Sequence, residues 1–209
     1  MSTCLIISGG SCDHINLTED VDFIIACDAG YDNALGNKLK PDLIIGDFDS
    51  YDGDINATHG DIPVMDFPVR KDDSDTMLAI KYAVNHGYDK ILISCALGGR
   101  MDHTIANVQA LNYISSKGLQ GTLISDTESM YGLYPGKYTF PRKDNKSFSL
   151  FAMGGKVTGI NISGSKFDVT DVTLYHYDPM GLSNGWASDE ITLSFASGTL
   201  LAIESYIPD

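Results

Sequence analysis

The feature that most constrains this fold is a series of short apolar runs, several closed by glycine or aspartate, in the first ~125 residues. They are Thr3 to Ser8, Asp22 to Cys27, Asp42 to Ile45, Ile62 to Phe67, Lys90 to Ala96 and Gly121 to Asp126. Each is too short for a buried helix, and each is apolar on both alternating faces. That pattern suits strands covered on two sides, as in a parallel sheet. Pro63 weakens the fourth run, because proline cannot donate to a ladder.

Amphipathic segments lie between the runs. Ser74 to His86 places Met77, Ile80 and Val84 on one face, starts among acidic residues and ends at Gly87. Asp102 to Lys117 carries Ile105, Val108, Leu111 and Ile114 along one side, with Gly118 as the stop. Both follow the usual asymmetry of helix ends. Tyr31 to Asn37 reads as a short helix.

After residue 126 helical periodicity vanishes and Thr, Ser, Gly and β-branched residues dominate. Phe148 to Met153, Lys156 to Ile162, Val172 to Tyr177, Ile191 to Ala196 and Thr199 to Glu204 read as strands, with a hairpin signal at Ser197-Gly198. The expected fold class is an α/β N-terminal domain with a mostly parallel sheet over residues 1–126, followed by an all-β sandwich domain over 127–209.

The formal charge of −14 argues against a nucleic-acid partner, whose phosphates such a field repels. It does not argue against a nucleotide, because a bound metal inverts local charge. No apolar stretch approaches the ~20 residues of a membrane span. The N-terminus lacks a basic region before its apolar run, so it reads as a strand and not as a signal peptide. The four cysteines, Cys4, Cys12, Cys27 and Cys95, form no Cys-x-x-Cys pair. They are expected to be free thiols, and the protein cytoplasmic.

Three aspartate clusters carry the chemistry. They are Gly46-Asp47-Phe48-Asp49-Ser50, Lys71-Asp72-Asp73-Ser74-Asp75-Thr76 and Gly98-Gly99-Arg100-Met101-Asp102-His103. Each follows an apolar run or opens a helix. Ligands of open α/β sheets bind beyond the carboxyl ends of the strands, where these clusters fall. Gathered carboxylates repel one another unless a cation lies between them, and a hard divalent ion carrying phosphate suits oxygen donors. Lys71 and Arg100 supply charge for phosphate, Ser50 and Thr76 supply hydroxyls, and Gly98-Gly99 permits close backbone approach. Taken one at a time, these residues also fit plainer roles: an Asp turn, a helix cap at Asp102, a surface histidine at His103. No Gly-x-x-x-x-Gly-Lys-Ser/Thr loop is present, which excludes a P-loop kinase. In the β region, Gly181-Leu182-Ser183-Asn184-Gly185-Trp186 holds the only tryptophan. It reads either as a turn with one apolar anchor or as a stacking platform for a flat cationic ligand.

Asp28-Ala29-Gly30, Gly46-Asp47-Phe48-Asp49-Ser50, Lys71-Asp72-x-Ser74-Asp75, Gly98-Gly99-Arg100-x-Asp102-His103 and Ser183-Asn184 occur in an order and spacing that resembles the thiamine pyrophosphokinase family. The resemblance implies an ATP-binding α/β domain, a thiamine-binding and dimerising β-sandwich, and transfer of the terminal diphosphate of ATP to the thiamine hydroxyl with release of AMP. It implies a homodimer with thiamine bound between subunits. Carried over residue by residue, Asp47, Asp49 and Asp75 or Asp72 would hold Mg²⁺. Lys71, Arg100 and the turn from Asp28 to Gly30 would meet ATP, with Ser50, Thr76, Gly98 and Gly99 around its phosphates. Asp102 and His103 would complete the nucleotide site, and Ser183, Asn184 and Trp186 would meet thiamine. The family more often has glycine at Ala29, threonine at Ser74 and an acidic residue at Gly185. Two rival readings are a metal-dependent phosphohydrolase using Asp47 as nucleophile and a non-catalytic nucleotide or thiamine sensor.

Overall fold

β1 (Thr3–Ile7) lies near the middle of the N-terminal strands and is buried along its whole length. In this computed structural model, which describes residues 1–46, 60–66 and 72–208, it pairs in parallel with β2 (Phe23–Cys27) and with the strand Lys90–Ser94. β3 (Leu43–Gly46) and β4 (Val64–Asp66) continue outward from β2, also in parallel. On the other side β5 (Lys90–Ser94) is followed by β6 (Gln120–Ile124), so the order is β4-β3-β2-β1-β5-β6. The chain thus leaves β1 on one side and returns on the other, the arrangement that opens a crevice at the strands' carboxyl ends.

Three helices occur among the described residues: α1 (Gly30–Gly36), α2 (Asp75–Asn85) and α3 (Met101–Ser116). α1 and α2 both lie against β1 and β2. Leu5 and Ile7 of β1 pack with Ala34 of α1 and Leu92 of β5. α2 is capped by Ser74, whose hydroxyl accepts from the Met77 amide at 3.2 Å. Its buried face is Thr76, Ala79, Ile80 and Ala83. The expected face of Met77, Ile80 and Val84 is therefore rotated, and only Ile80 is common to both. Small residues let the helix axis approach the sheet, while the larger Met77 and Val84 sit half-buried at its edge. In α3, Leu111 and Ile114 are buried as expected, but Ile105 is 53% exposed.

The described chain divides into two compact units, Met1–Ala110 with Thr122–Asp126, and Leu111–Gly121 with Thr127–Asp209. The division falls within α3. In the second unit β9 (Lys146–Ser163) is a single strand of 18 residues, where the sequence suggested two. Gly154 and Gly155 adopt positive φ (71° and 148°) and redirect the strand without ending it. Its first half pairs with β13 (Ser197–Tyr206) and β11 (Gly181–Asn184), and its second half with β12 (Glu190–Phe195) and β10 (Val169–Tyr175), all antiparallel. β7 (Glu128–Leu133) pairs with β13, and β8 (Gly136–Pro141) with β12. Phe148, Ile160, Trp186, Leu193 and Leu200 fill the core between them. β7, β8 and β11 were not legible as strands, because their outward residues are polar or glycine and their apolar alternation is thin.

Two of the four expected free thiols are not free. Cys12 and Cys95 form a disulfide, because the loop after β1 returns to the end of β5. Cys4 and Cys27 are not disulfide-bonded and are buried. Burial, and secondarily the Asp42 carboxylate, push the Cys4 thiol up to about 12. Among the described residues no helix is long and apolar enough to cross a membrane.

Gly30 opens α1 where a Cβ would stand 2.1 Å from the Ile7 carbonyl oxygen. Gly30→Ala is expected to force β1 and α1 apart and to lower unfolding free energy by about 1–3 kcal/mol or more, read from urea denaturation. A loss below ~0.5 kcal/mol would show that the contact relaxes freely.

Candidate active site

A cavity of about 410 Å³ opens at the carboxyl ends of β1, β2 and β5, wholly within the first unit. The geometry of its walls follows from the sheet. β1 ends in Ser8-Gly9-Gly10-Ser11, small residues that leave space above the strand. β2 ends in Asp28 and Ala29, and β5 in Cys95, Ala96, Gly98, Gly99 and Arg100. The N-terminus of α2 contributes Ser74, Asp75 and Thr76, while α3 contributes His103 and Asn107.

Several contacts hold these walls. The Ser8 and Thr76 hydroxyls lie 2.8 Å apart, joining the end of β1 to the start of α2. Asn33 of α1 donates to the carbonyls of Ser8 and Gly10, both at 2.9 Å. Asn107 donates to the Ala96 carbonyl at 2.7 Å and fixes the turn from β5 into α3. Within that turn Gly98 and Gly99 have φ of +83° and +66°, a conformation that L side chains rarely adopt. Their successive left-handed residues turn the backbone toward the cavity before α3 begins.

Arg100 and Asp102 form a bidentate pair at the cavity mouth. The guanidinium donates from Nε at 3.2 Å and from a terminal nitrogen at 2.6 Å. This bond, together with the His103 amide, holds the Asp102 carboxyl below the usual range, and the same pairing raises Arg100. Both side chains are exposed, so the fork remains available for exchange onto an incoming anion. A planar fork beside two glycines and a helix N-terminus is suited to phosphate oxygens.

Of the residues singled out from sequence, Asp28, Asp75, Thr76, Gly98, Gly99, Arg100 and His103 line this one cavity. Gly30 is not in the lining; it is buried at the start of α1, against the Ile7 carbonyl. Asp102 reaches it through Arg100. Asp72 is exposed and is not part of the lining, and neighbouring Asp73 pairs with Lys81 of α2 at 2.5 Å. Asp47, Asp49, Ser50 and Lys71 lie outside the described residues. Among the described residues no three His, Cys, Asp or Glu side chains gather as a metal cluster. Sequence reasoning missed Ser8, Ser11, Asn33 and Asn107. Ser8 and Ser11 flank the Gly9-Gly10 pair that ends β1, which was the available signal; the asparagines act through backbone carbonyls and leave none.

Ser183, Asn184 and Trp186 belong to the second unit, where they line a different cavity. Asn184 is committed to the fold: its Oδ1 accepts from the amides of Phe167 and Gly185, and its Nδ2 donates to Ser165 and Phe167. Trp186 is 6% exposed, packs edge-on to Phe148 and donates from Nε1 to the Phe140 carbonyl at 3.0 Å. Its faces are thus core surface and not an open stacking platform. Ser183 is exposed, with φ of +59°.

Known proteins resemble this chain along nearly its whole length. The family model for the thiamin pyrophosphokinase catalytic domain matches residues 15–123, more than half of the chain. The chain belongs to the thiamin pyrophosphokinase family. A second model, the vitamin B1 binding domain of the same family, matches residues 137–200. The thiamine pyrophosphokinase of Bacillus subtilis is 26% identical over 98% of this chain and 99% of its own length. Its crystal structure covers 99% of this chain and all of its own at a TM-score of 0.88, with 24% identity. A thiamin pyrophosphokinase family protein from Enterococcus faecalis aligns over the full length of both chains at 0.83 and 25% identity. The yeast enzyme shares the fold at 0.73 with 14% identity, covering 98% of this chain and 86% of its own. Membership of the thiamin pyrophosphokinase family makes this chain an enzyme.

Arg100→Ala is expected to leave stability within ~0.5 kcal/mol, because the pair is exposed. It should weaken ATP binding by about tenfold or more, since a charged phosphate loses a forked donor. Calorimetric titration of the variant checks both the affinity and its heat; an unchanged affinity would remove Arg100 from the site.

Proposed function

We propose that this protein transfers the β,γ-diphosphate of ATP to the hydroxyl of thiamine, giving thiamine diphosphate and AMP. The observation that carries the reading is the convergence of Asp75, Thr76, Gly98, Gly99 and Arg100 on one crevice at the carboxyl ends of parallel strands. Sequentially distant motifs of one family are expected to meet there if they serve one triphosphate.

In this reading the first unit is the ATP-binding α/β domain, and the second is a β-sandwich that binds thiamine and dimerises. The thiamine hydroxyl oxygen forms a bond to the β-phosphorus, the bond from that phosphorus to the α,β-bridging oxygen breaks in line with it, AMP departs with the bridging oxygen, and the hydroxyl proton is released to solvent. Such transfers demand positioning and charge neutralisation more than covalent help from the protein. The amides at the start of α2 and the Gly98-Gly99 turn hold phosphate oxygens, Arg100 follows the charge as it moves toward the leaving group, and Lys71 adds a second cation for phosphate. Asp102, itself bonded by the His103 amide, orients Arg100 at the mouth.

Asp75 offers a hard oxygen donor at the cavity wall, which fits Mg²⁺, and Asp47 and Asp49 would complete its ligands. Bound there, the ion neutralises charge on the phosphoryl oxygens. Ser183 is the exposed polar group through which the second unit would reach thiamine. Phe167, Tyr175, Tyr177, Met180 and Leu182 are large apolar side chains left open on the second unit, which supports a homodimer with the active site at the subunit interface. We place the enzyme in the cytoplasm, where ATP is abundant.

Incubated with Mg-ATP, the protein should release AMP only when thiamine is present, in equal amount with thiamine diphosphate. Release of inorganic phosphate without thiamine would instead indicate a hydrolase. Asp49→Asn and Asp75→Asn should each cut AMP formation by at least about a hundredfold while leaving the circular dichroism spectrum intact, as loss of a charged transition-state contact demands. Near-normal turnover in either variant would contradict its assignment to the metal.

A further inference from the structure

The Cys12–Cys95 disulfide stands at the wall of the first unit's cavity, and the transfer reaction gives it no role. Cys95 lines that cavity, as do Gly10 and Ser11, the residues just before Cys12. The two backbones touch there. The Gly10 amide donates to the Cys95 carbonyl at 2.9 Å, and a Cβ on Gly10 would stand 2.5 Å from that oxygen. Cys95 itself has φ of +54°, a region that few residues other than glycine adopt.

Its neighbours show what the disulfide holds. The sheet does not need it: β1 pairs with β5 from Thr3 to Ile7, and the Ser8 amide donates to the Ser94 carbonyl at 2.9 Å. Gly10 is secured independently, because Asn33 donates to its carbonyl. The next anchored residue is Ile15, whose amide donates to Asn37 at 2.9 Å. Between these anchors Ser11, Asp13 and His14 are exposed, and among the described residues none of the three makes a hydrogen bond to another element. Cys12 alone turns inward, half-buried against the cluster of Leu5, Ile7 and Leu92. The bond to Cys95 is therefore the covalent tie that fixes residues 11–14, and with them one edge of the cavity.

We propose that this disulfide is a reversible thiol switch on nucleotide binding, closed in this structure and opened by a dithiol reductant. The inference rests on the nucleotide reading of the cavity and on the cytoplasmic placement. Disulfides that form in a reducing cytoplasm are usually transient and serve catalysis or redox sensing. Cys12 lies between exposed residues, so its sulfur is the one a reductant reaches, whereas Cys95 is 4% exposed. One thiolate of the reductant attacks the Cys12 sulfur, the disulfide bond breaks, and Cys95 leaves as a thiolate that takes up a proton. The reductant's second thiolate then attacks its own sulfur in the mixed disulfide. Cys12 leaves and is protonated, and the reductant departs as a cyclic disulfide, two electrons poorer. Oxidised glutathione, a disulfide oxidant, carries out the reverse exchange. Once the tie is open, a bound nucleotide must itself order residues 11–14, and that entropy weakens its binding.

The test is calorimetric titration of the full chain with ATP, in the disulfide form and after reduction by dithiothreitol. The mass of the alkylated protein confirms each state. Reduction is expected to weaken ATP binding at least about fivefold, the lower end of typical coupling between sites, with an unchanged circular dichroism spectrum. Cys12→Ser should bind as weakly as the reduced protein and ignore the reductant, which separates this bond from effects on Cys4 or Cys27. Should that variant fail to fold, the reciprocal measurement on the unmodified protein decides the matter. In graded glutathione buffers, ATP must favour the disulfide by the same factor by which the disulfide favours ATP. Equal or tighter ATP binding by the reduced form, or a thiol–disulfide equilibrium that ATP does not move, would overturn the switch and leave the nucleotide site standing. A chain that unfolds on reduction, or that forms no Cys12–Cys95 bond on oxidation, would overturn it too. ATP binding by neither form would remove the nucleotide site itself, and the switch with it.

Discussion

The parallel pairing of β1 with β2 on one side and β5 on the other is the constraint from which the candidate site follows. Parallel pairing points every carboxyl end the same way, and the reversal of strand order at β1 keeps those ends from being crossed by a connecting helix. What the chain places at each strand end is then forced into one crevice. Here those ends carry Gly9-Gly10, Asp28 and Gly98-Gly99, with the start of α2 arriving beside them. The close approach of Gly30 to the Ile7 carbonyl and the Ser8–Thr76 hydroxyl contact show how tightly these ends are drawn together.

Much of this was legible from residues alone, for identifiable reasons. Runs such as Cys4-Leu5-Ile6-Ile7 and Ile91-Leu92-Ile93 are apolar on both faces and admit little besides a covered strand. The helix from Ser74 announced itself through its acidic start and the glycine that ends it. The errors lie where a local signal competes with a tertiary one. Gly154-Gly155 reads as a break, but ladder bonds on both sides carry β9 through it. The buried face of α2 follows its small residues because proximity to the sheet outweighs side-chain bulk. The Cys12–Cys95 disulfide joins residues 83 positions apart, a pairing that spacing alone does not encode.

The same contrast holds for function. Motifs whose own side chains line the cavity, such as Arg100 and Asp75, were identifiable. Residues that act by holding backbone, such as Asn33, Asn107 and Asn184, were either missed or assigned a ligand when their amides serve the fold. Trp186 illustrates the limit of composition: a lone tryptophan in a polar loop left an apolar anchor and a stacking platform both open, and an indole with a buried carbonyl to donate to gains more from the core. Charge is partitioned in a similar way. Lys71 and Arg100 belong to the motifs of the first unit, while four cations gather in one cavity of the second, so the strongly negative average conceals local fields of the opposite sign.

The central claim is that the aspartate and glycine motifs of the first unit surround a metal-bound triphosphate. A crystal structure grown with Mg²⁺ and a non-hydrolysable ATP analogue tests it most directly. The account predicts phosphate oxygens within hydrogen-bond reach of the Gly98–Arg100 backbone and guanidinium, and an ion touched by Asp75 together with Asp47 or Asp49. An analogue bound elsewhere, or an ion that none of these carboxylates contacts, would contradict it.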